Sequence, residues 1–132
     1  MRKVHYGEIS GQEDNKTMYN DSIQPVEMVI LQGTSLCNLN CSYCDLTEES
    51  RKQNQFVPLD VLEKVFTKLF QSAYLGKKLE IVWHAGEPLT MPIDYYKQAW
   101  KLIDQLKARH ATPCFQLSHH IQTNGTLLNQ DW

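Results

Sequence analysis

Three cysteines fall within one short stretch, Cys37-Asn38-Leu39-Asn40-Cys41-Ser42-Tyr43-Cys44. The spacing, C-x3-C-x2-C, puts three thiolates on one loop, and nothing nearby supplies a fourth. A [4Fe–4S] cluster is usually held by four thiolates. With three, one iron keeps an open position, and an open position marks a catalytic rather than a structural site, as it does for zinc. A structural zinc is the competing reading. It needs a fourth ligand, which Cys114 or a His would bring from afar, and its ligands more often come as two separated pairs. A disulfide within the loop leaves one Cys odd, in a chain that shows no secretory context.

The remainder of the sequence narrows the setting. The chain has 132 residues, enough for one modest domain, and 42% hydrophobic with 21% charged residues is ordinary for a soluble protein. A net charge of −2 gives no reason to expect a nucleic-acid or anionic-membrane partner. The longest aliphatic run, Met28-Val29-Ile30-Leu31, is too short to span a bilayer, and the N-terminus lacks the apolar segment of a signal peptide. Four cysteines without export signals favour a reducing cytoplasm and metal or redox chemistry.

Residues 1–25 are polar and read as an arm with little structure; residues 26–132 read as the folded part. Val26 to Gln32 is a short apolar run that predicts a buried strand, with the cysteine loop at its C-terminal end. Asp45 to Gln55 is charged and reads as loop, with Arg51 and Lys52 on a solvated face. Pro58 opens a predicted helix with an apolar stripe of Leu62, Val65, Phe66, Leu69, Phe70 and Ala73. Gly76 stops it, and Lys77 and Lys78 suit the negative helix end.

Leu79 to Trp83 predicts a second strand, running into the turn His84-Ala85-Gly86-Glu87-Pro88-Leu89. Pro92 starts a second helix with Tyr96, Ala99, Trp100, Ile103 and Leu106 on one stripe, read as core. Phe115 to Thr123 predicts a third strand with alternating faces. Phe115, Leu117, His119, Ile121 and Thr123 share one face; Gln116, Ser118, His120, Gln122 and finally Asn124 share the other, polar one, which faces either a lumen or solvent. Asn124-Gly125 is a turn pair. The β-α-β-α-β order predicts parallel strands with right-handed crossovers, and ligands in such sheets bind beyond the C-terminal strand ends. The cysteine loop, the His84–Pro88 turn and the Gln122–Gly125 turn all fall at those ends.

Cys37-x3-Cys41-x2-Cys44, with aromatic Tyr43 before the last Cys, resembles the signature of the radical S-adenosylmethionine (SAM) superfamily. The resemblance implies that the three thiolates hold a [4Fe–4S] cluster whose fourth iron is chelated by S-adenosyl-L-methionine. One electron then cleaves SAM to a 5′-deoxyadenosyl radical that abstracts hydrogen from a substrate. It implies Tyr43 near the adenine. Ala85-Gly86-Glu87-Pro88 is similar to the family's Gly-Gly-Glu motif, which holds the methionine amino group. Ala85 replaces the first Gly, a change expected to spare the backbone contacts. His84, Gln122 and Asn124 become candidate SAM or substrate contacts on the same ground. Cys114 lies outside the motif and is read as structural.

Trp83-His84-Ala85-Gly86-Glu87-Pro88-Leu89 and Gln122-Thr123-Asn124-Gly125-Thr126-Leu127-Leu128 resemble radical SAM/SPASM peptide maturases, most of all the cyclophane-forming type. That type cross-links side chains of a ribosomally made precursor peptide. Anaerobic sulfatase maturases share much of the pattern, and an inactive or zinc-binding remnant is a further alternative. The implied fold is the N-terminal half of a partial (β/α)6 TIM-like barrel, about three βα units, with the chain ending in mid-pattern. The implied partners are a precursor peptide and an electron donor such as flavodoxin or ferredoxin, in the cytoplasm.

Overall fold

The computed structural model describes residues 24–132, so the predicted arm lies almost wholly outside the described residues. Three parallel strands form one sheet in the order β1-β2-β3: β1 is Val26–Leu31, β2 is Leu75–Trp83 and β3 is Gln116–Ile121. A short helix α1 (Glu48–Arg51) and a helix α2 (Leu59–Phe70) join β1 to β2, and α3 (Ile93–His110) joins β2 to β3. This is the alternating α/β order read from the sequence.

Strand register sorts the side chains into two faces. The rows Val29–Ile81–His119 and Leu31–Trp83–Ile121 share the face covered by the helices. There Leu79, Ile81 and Trp83 meet Leu62, Phe66 and Phe70 of α2 and Tyr96, Ala99, Ile103 and Leu106 of α3, all buried. The rows Met28–Glu80–Ser118 and Ile30–Val82–His120 share the opposite face, where no helix packs among the described residues. That face is polar on β3, as the alternation predicts. On β1 it carries exposed Met28 and Ile30, which the sequence reading placed in a buried strand.

Several boundaries differ from expectation. The segment read as loop before Gln55 contains α1, capped by the Thr47 hydroxyl, which accepts from the Ser50 N–H. Helix α2 ends at Phe70, and Ser72 Oγ donates to the Leu69 carbonyl, so Ala73 lies beyond the stripe. Val65 is exposed, because a step of three residues turns it about 60° around the helix from Leu62. Gly76 does not stop a helix; it lies in β2, where the pairing with β1 jumps from Val26↔Leu75 to Met28↔Glu80. Lys78 accordingly pairs with Glu27 at 3.2 Å rather than with a helix end.

His119 lies under α3, its ring 5.3 Å from that of Trp100, and neither ring nitrogen has a hydrogen-bond partner among the described residues. Burial pushes its pKa below the ordinary value, against the opposing pull of Asp104. The unfolded chain therefore takes up a proton that the folded one resists. His119 contributes stability above the ordinary His pKa of about 6.5 and loses it as pH falls toward the folded value. His119→Phe should stabilise the fold by about 1–2 kcal/mol at pH 5.5, less at pH 7.5, and flatten the dependence of urea midpoint on pH in that window.

Candidate functional site

The three loops at the C-terminal strand ends meet around one cavity of about 420 Å³, lined in part by Cys37, Cys41 and Cys44 with Tyr43. His84, Ala85, Gly86 and Glu87 line it from the β2 end, and Gln122, Thr123 and Asn124 from the β3 end. Ladder bonds carry the sheet into this region: the His84 N–H donates to the Leu31 carbonyl at 2.9 Å and the Gln122 N–H to the Trp83 carbonyl at 2.9 Å. An aromatic cluster supports the β2 turn from below. Trp83 meets Tyr96 edge-on at 5.0 Å, and Tyr96 packs on Trp100 and Trp132. Tyr96 Oη donates to the Pro88 carbonyl at 3.0 Å, while Tyr95 Oη donates to the Val57 carbonyl. Burial raises both phenols, Tyr95 to about 12.

The β2 turn is pressed against the cysteine loop. The Glu87 N–H donates to the Leu36 carbonyl at 2.7 Å. Gly86 has φ +62°, and a Cβ there would stand 2.7 Å from the carbonyl oxygens of both Leu36 and Thr34. Ala85 also has positive φ, +71°, so the residue standing for the motif's first Gly is held in a conformation that favours glycine.

Glu87 is 1% exposed, and its carboxylate is used inside the protein. Oε1 accepts from the Leu89 N–H at 2.9 Å and from Thr123 Oγ1 at 2.6 Å; Oε2 accepts from the Asn124 N–H at 2.7 Å. The acid thus ties the β2 turn to the β3 turn. Asn124 extends the tie, its amide donating to Asn38 Oδ1 at 3.0 Å, while the Asn38 amide donates to Thr126 Oγ1 at 2.7 Å. Each loop is bonded to the other two.

Of the candidates from sequence, Gln122 and His84 are exposed and line the cavity. Tyr43 is 87% exposed beside the thiols, and its hydroxyl titrates above the ordinary value through a hydrogen bond with Cys41 and the charges of Cys41 and Cys44. Pro88 is buried and opens a 3-10 turn, Pro88–Thr90; it lies outside the cavity lining. Cys114, read as structural, is an exposed free thiol just before β3, at the opposite end of the strands from the cysteine loop. It is therefore not placed to be a fourth ligand. Arg51, read as part of a solvated face, is half-buried, and its Nη1 donates to the Cys41 carbonyl at 3.2 Å. Sequence reasoning also missed Asn38, Thr123 and Thr126, whose only signal was proximity to motifs already noted.

The donor set is one that an iron–sulfur cluster takes: Cys37, Cys41 and Cys44 are free thiols that line one cavity. A zinc ion draws its thiolates to about 2.3 Å from one point. An iron–sulfur cubane spreads them over separate irons.

Comparison with known proteins agrees with this reading. The radical SAM superfamily profile matches residues 31–132. An uncharacterized protein of Synechocystis sp. is 36% identical over 108 residues, covering 82% of this chain and 27% of that protein. The serine-type anaerobic sulfatase-maturating enzyme of Bacteroides thetaiotaomicron is 32% identical over 120 residues, covering 88% and 28%. The chain thus spans under a third of the length of these relatives. Among solved structures, anSMEcpe with bound AdoMet superposes with a TM-score of 0.65 at 22% identity, over 82% of this chain and 28% of that one, and so shares the fold. The chain belongs to the radical SAM superfamily, whose cofactors are S-adenosyl-L-methionine and a [4Fe–4S] cluster.

Proposed function

We propose that this chain supplies the cluster-binding and part of the SAM-binding portion of a peptide-modifying radical SAM enzyme, whose substrate is a ribosomally made peptide cross-linked through its side chains. The observation that carries the reading is the single cavity walled by the three motif thiols, the Ala85-Gly86-Glu87 turn and the Gln122–Asn124 turn. When bound, the cluster and SAM supply a 5′-deoxyadenosyl radical for hydrogen abstraction. The chain's own residues hold and shield. Cys37, Cys41 and Cys44 ligate as thiolates. Tyr43 stands beside them to cover the adenine. The backbone of the β2 turn receives the methionine amino group, with Glu87 fixing that backbone through its three acceptor bonds. His84 and Gln122, exposed on the cavity wall, are the groups open to SAM or substrate. The polar row of Ser118 and His120, joined at 3.1 Å, offers hydrogen bonds to a peptide on the uncovered sheet face.

A second reading, maturation of a sulfatase, is favoured by the relatives named as anaerobic sulfatase-maturating enzymes. Anaerobic incubation of a reconstituted enzyme that contains this portion and a complete barrel, with SAM, dithionite and two peptides, separates the readings. One peptide is a precursor carrying aromatic residues, the other a sulfatase segment with Ser or Cys at its target position. A linkage formed with loss of two hydrogens in the precursor supports the proposal. Modification of the sulfatase segment alone favours the second reading, and 5′-deoxyadenosine without change in either peptide contradicts both.

The ligand assignment has its own test. Cys41→Ala leaves two thiolates, too few to retain a cluster, and should reduce iron and sulfide after reconstitution to less than about a tenth of the unaltered chain's content. Full iron content in that variant would remove Cys41 from the ligand set.

A further inference from the structure

We propose that Arg51 is a positioning residue for the cluster, clamping the cysteine loop and setting a fixed positive charge beside the group the thiolates hold. The proposal rests on the cluster reading above, and its test separates the two.

The clamp has two bonds. The Cys37 N–H donates to the Arg51 carbonyl at 3.0 Å, and Arg51 Nη1 donates to the Cys41 carbonyl at 3.2 Å. One residue thus fixes both ends of the C-x3-C arc. Helix α1 presents it: the Thr47 cap and the Arg51 N–H bond to the Thr47 carbonyl at 3.1 Å hold that single turn.

The charge lacks a close partner, although it helps to lower the pKa of the exposed carboxyls of Glu48 and Glu49. Arg51 makes no ion pair among the described residues, while its neighbour Lys52 is paired with Glu48 and exposed. The Arg51 Nε–H is buried and has no acceptor among the described residues. A half-buried guanidinium with a spare donor is costly unless an anion compensates it. Three thiolates and the cluster they carry bring net negative charge to the same loop, and the one-electron reduced cluster carries one charge more. A cation nearby therefore favours the reduced form. Arg51 also lines a separate cavity of about 200 Å³ shared with Cys37, Asn38 and Glu48.

Two measurements on the unaltered chain, Arg51→Lys and Arg51→Met test this. In the metal-free proteins, hydrogen exchange of peptides covering residues 37–44 should speed at least tenfold in Arg51→Met, with β2 peptides unchanged. Equal exchange overturns the side-chain half of the clamp; the Cys37 N–H bond to the Arg51 carbonyl is backbone and stays in every variant. After anaerobic reconstitution, EPR-monitored titration with dithionite as one-electron donor should show Arg51→Met harder to reduce by about tenfold in equilibrium, a 59 mV shift to more negative potential. Arg51→Lys, which keeps the charge without the fork, should restore most of the potential but not the slow exchange. An unchanged potential in Arg51→Met overturns the electrostatic role. An unaltered chain that takes up no cluster refutes the functional reading instead, and the exchange comparison still decides the side-chain half of the clamp.

Discussion

Glu87→Ala should destabilise the chain by about 3–5 kcal/mol, a large share of what a domain of this size possesses. Glu87 is 1% exposed and its carboxylate accepts three hydrogen bonds from the Leu89 N–H, Thr123 Oγ1 and the Asn124 N–H. Bonds to a charged acceptor are the stronger kind, and their loss strands donors in a buried place. The melting temperature should fall by roughly 10–20 °C. Glu87→Gln discriminates packing from charge. However its amide is turned, the new NH2 group faces the N–H of Leu89 or of Asn124, so about 2–3 kcal/mol should still be lost. A Glu87→Gln protein that melts with the unaltered one would show that the carboxylate does not hold the two turns together.

Neighbouring substitutions in the same turn should have opposite signs. Gly86→Ala places a Cβ 2.7 Å from two carbonyl oxygens at φ +62°. The left-handed conformation costs an L-residue about 1–2 kcal/mol, and the backbone of Thr34–Leu36 must move to admit the methyl. A total loss of about 2–4 kcal/mol is expected. The displaced segment leads directly into Cys37, so iron uptake should fall with stability. Ala85→Gly removes a side chain from φ +71° and should stabilise by up to about 1 kcal/mol, the gain being offset in part by the greater freedom of glycine when unfolded. Urea titration of both variants checks the contrast. Two substitutions of equal effect would mean that contact with the cysteine loop does not constrain this turn.

The cysteine spacing and the alternation of apolar runs with helical stripes made the parallel α/β order legible. They also placed three loops at one end of the sheet, because each helical crossover returns the chain to the same starting end and leaves the strands parallel. What stayed hidden depends on tertiary contact. Arg51 sits in a polar segment, Thr47 to Lys52, that reads as solvent-facing until its fork is seen on the Cys41 carbonyl. Two of the three partners of Glu87 lie 36 and 37 residues away, and no local pattern names them. Gly76 punctuates a sequence in the same way whether it ends a helix or relaxes a strand; only the shifted pairing between β1 and β2 decides for the strand. Met28 and Ile30 look like core because they are apolar, yet the register sets them on the face that the described helices leave uncovered.

The cysteine loop and the two facing turns are proposed to form an open-iron cluster site that supplies part of a SAM pocket. EPR of the anaerobically reconstituted and reduced chain, recorded with and without SAM, tests it most directly. The expected result is a [4Fe–4S]⁺ signal whose g values shift when SAM is added. A cluster signal indifferent to SAM, or a chain that takes up no iron and sulfide, would contradict it.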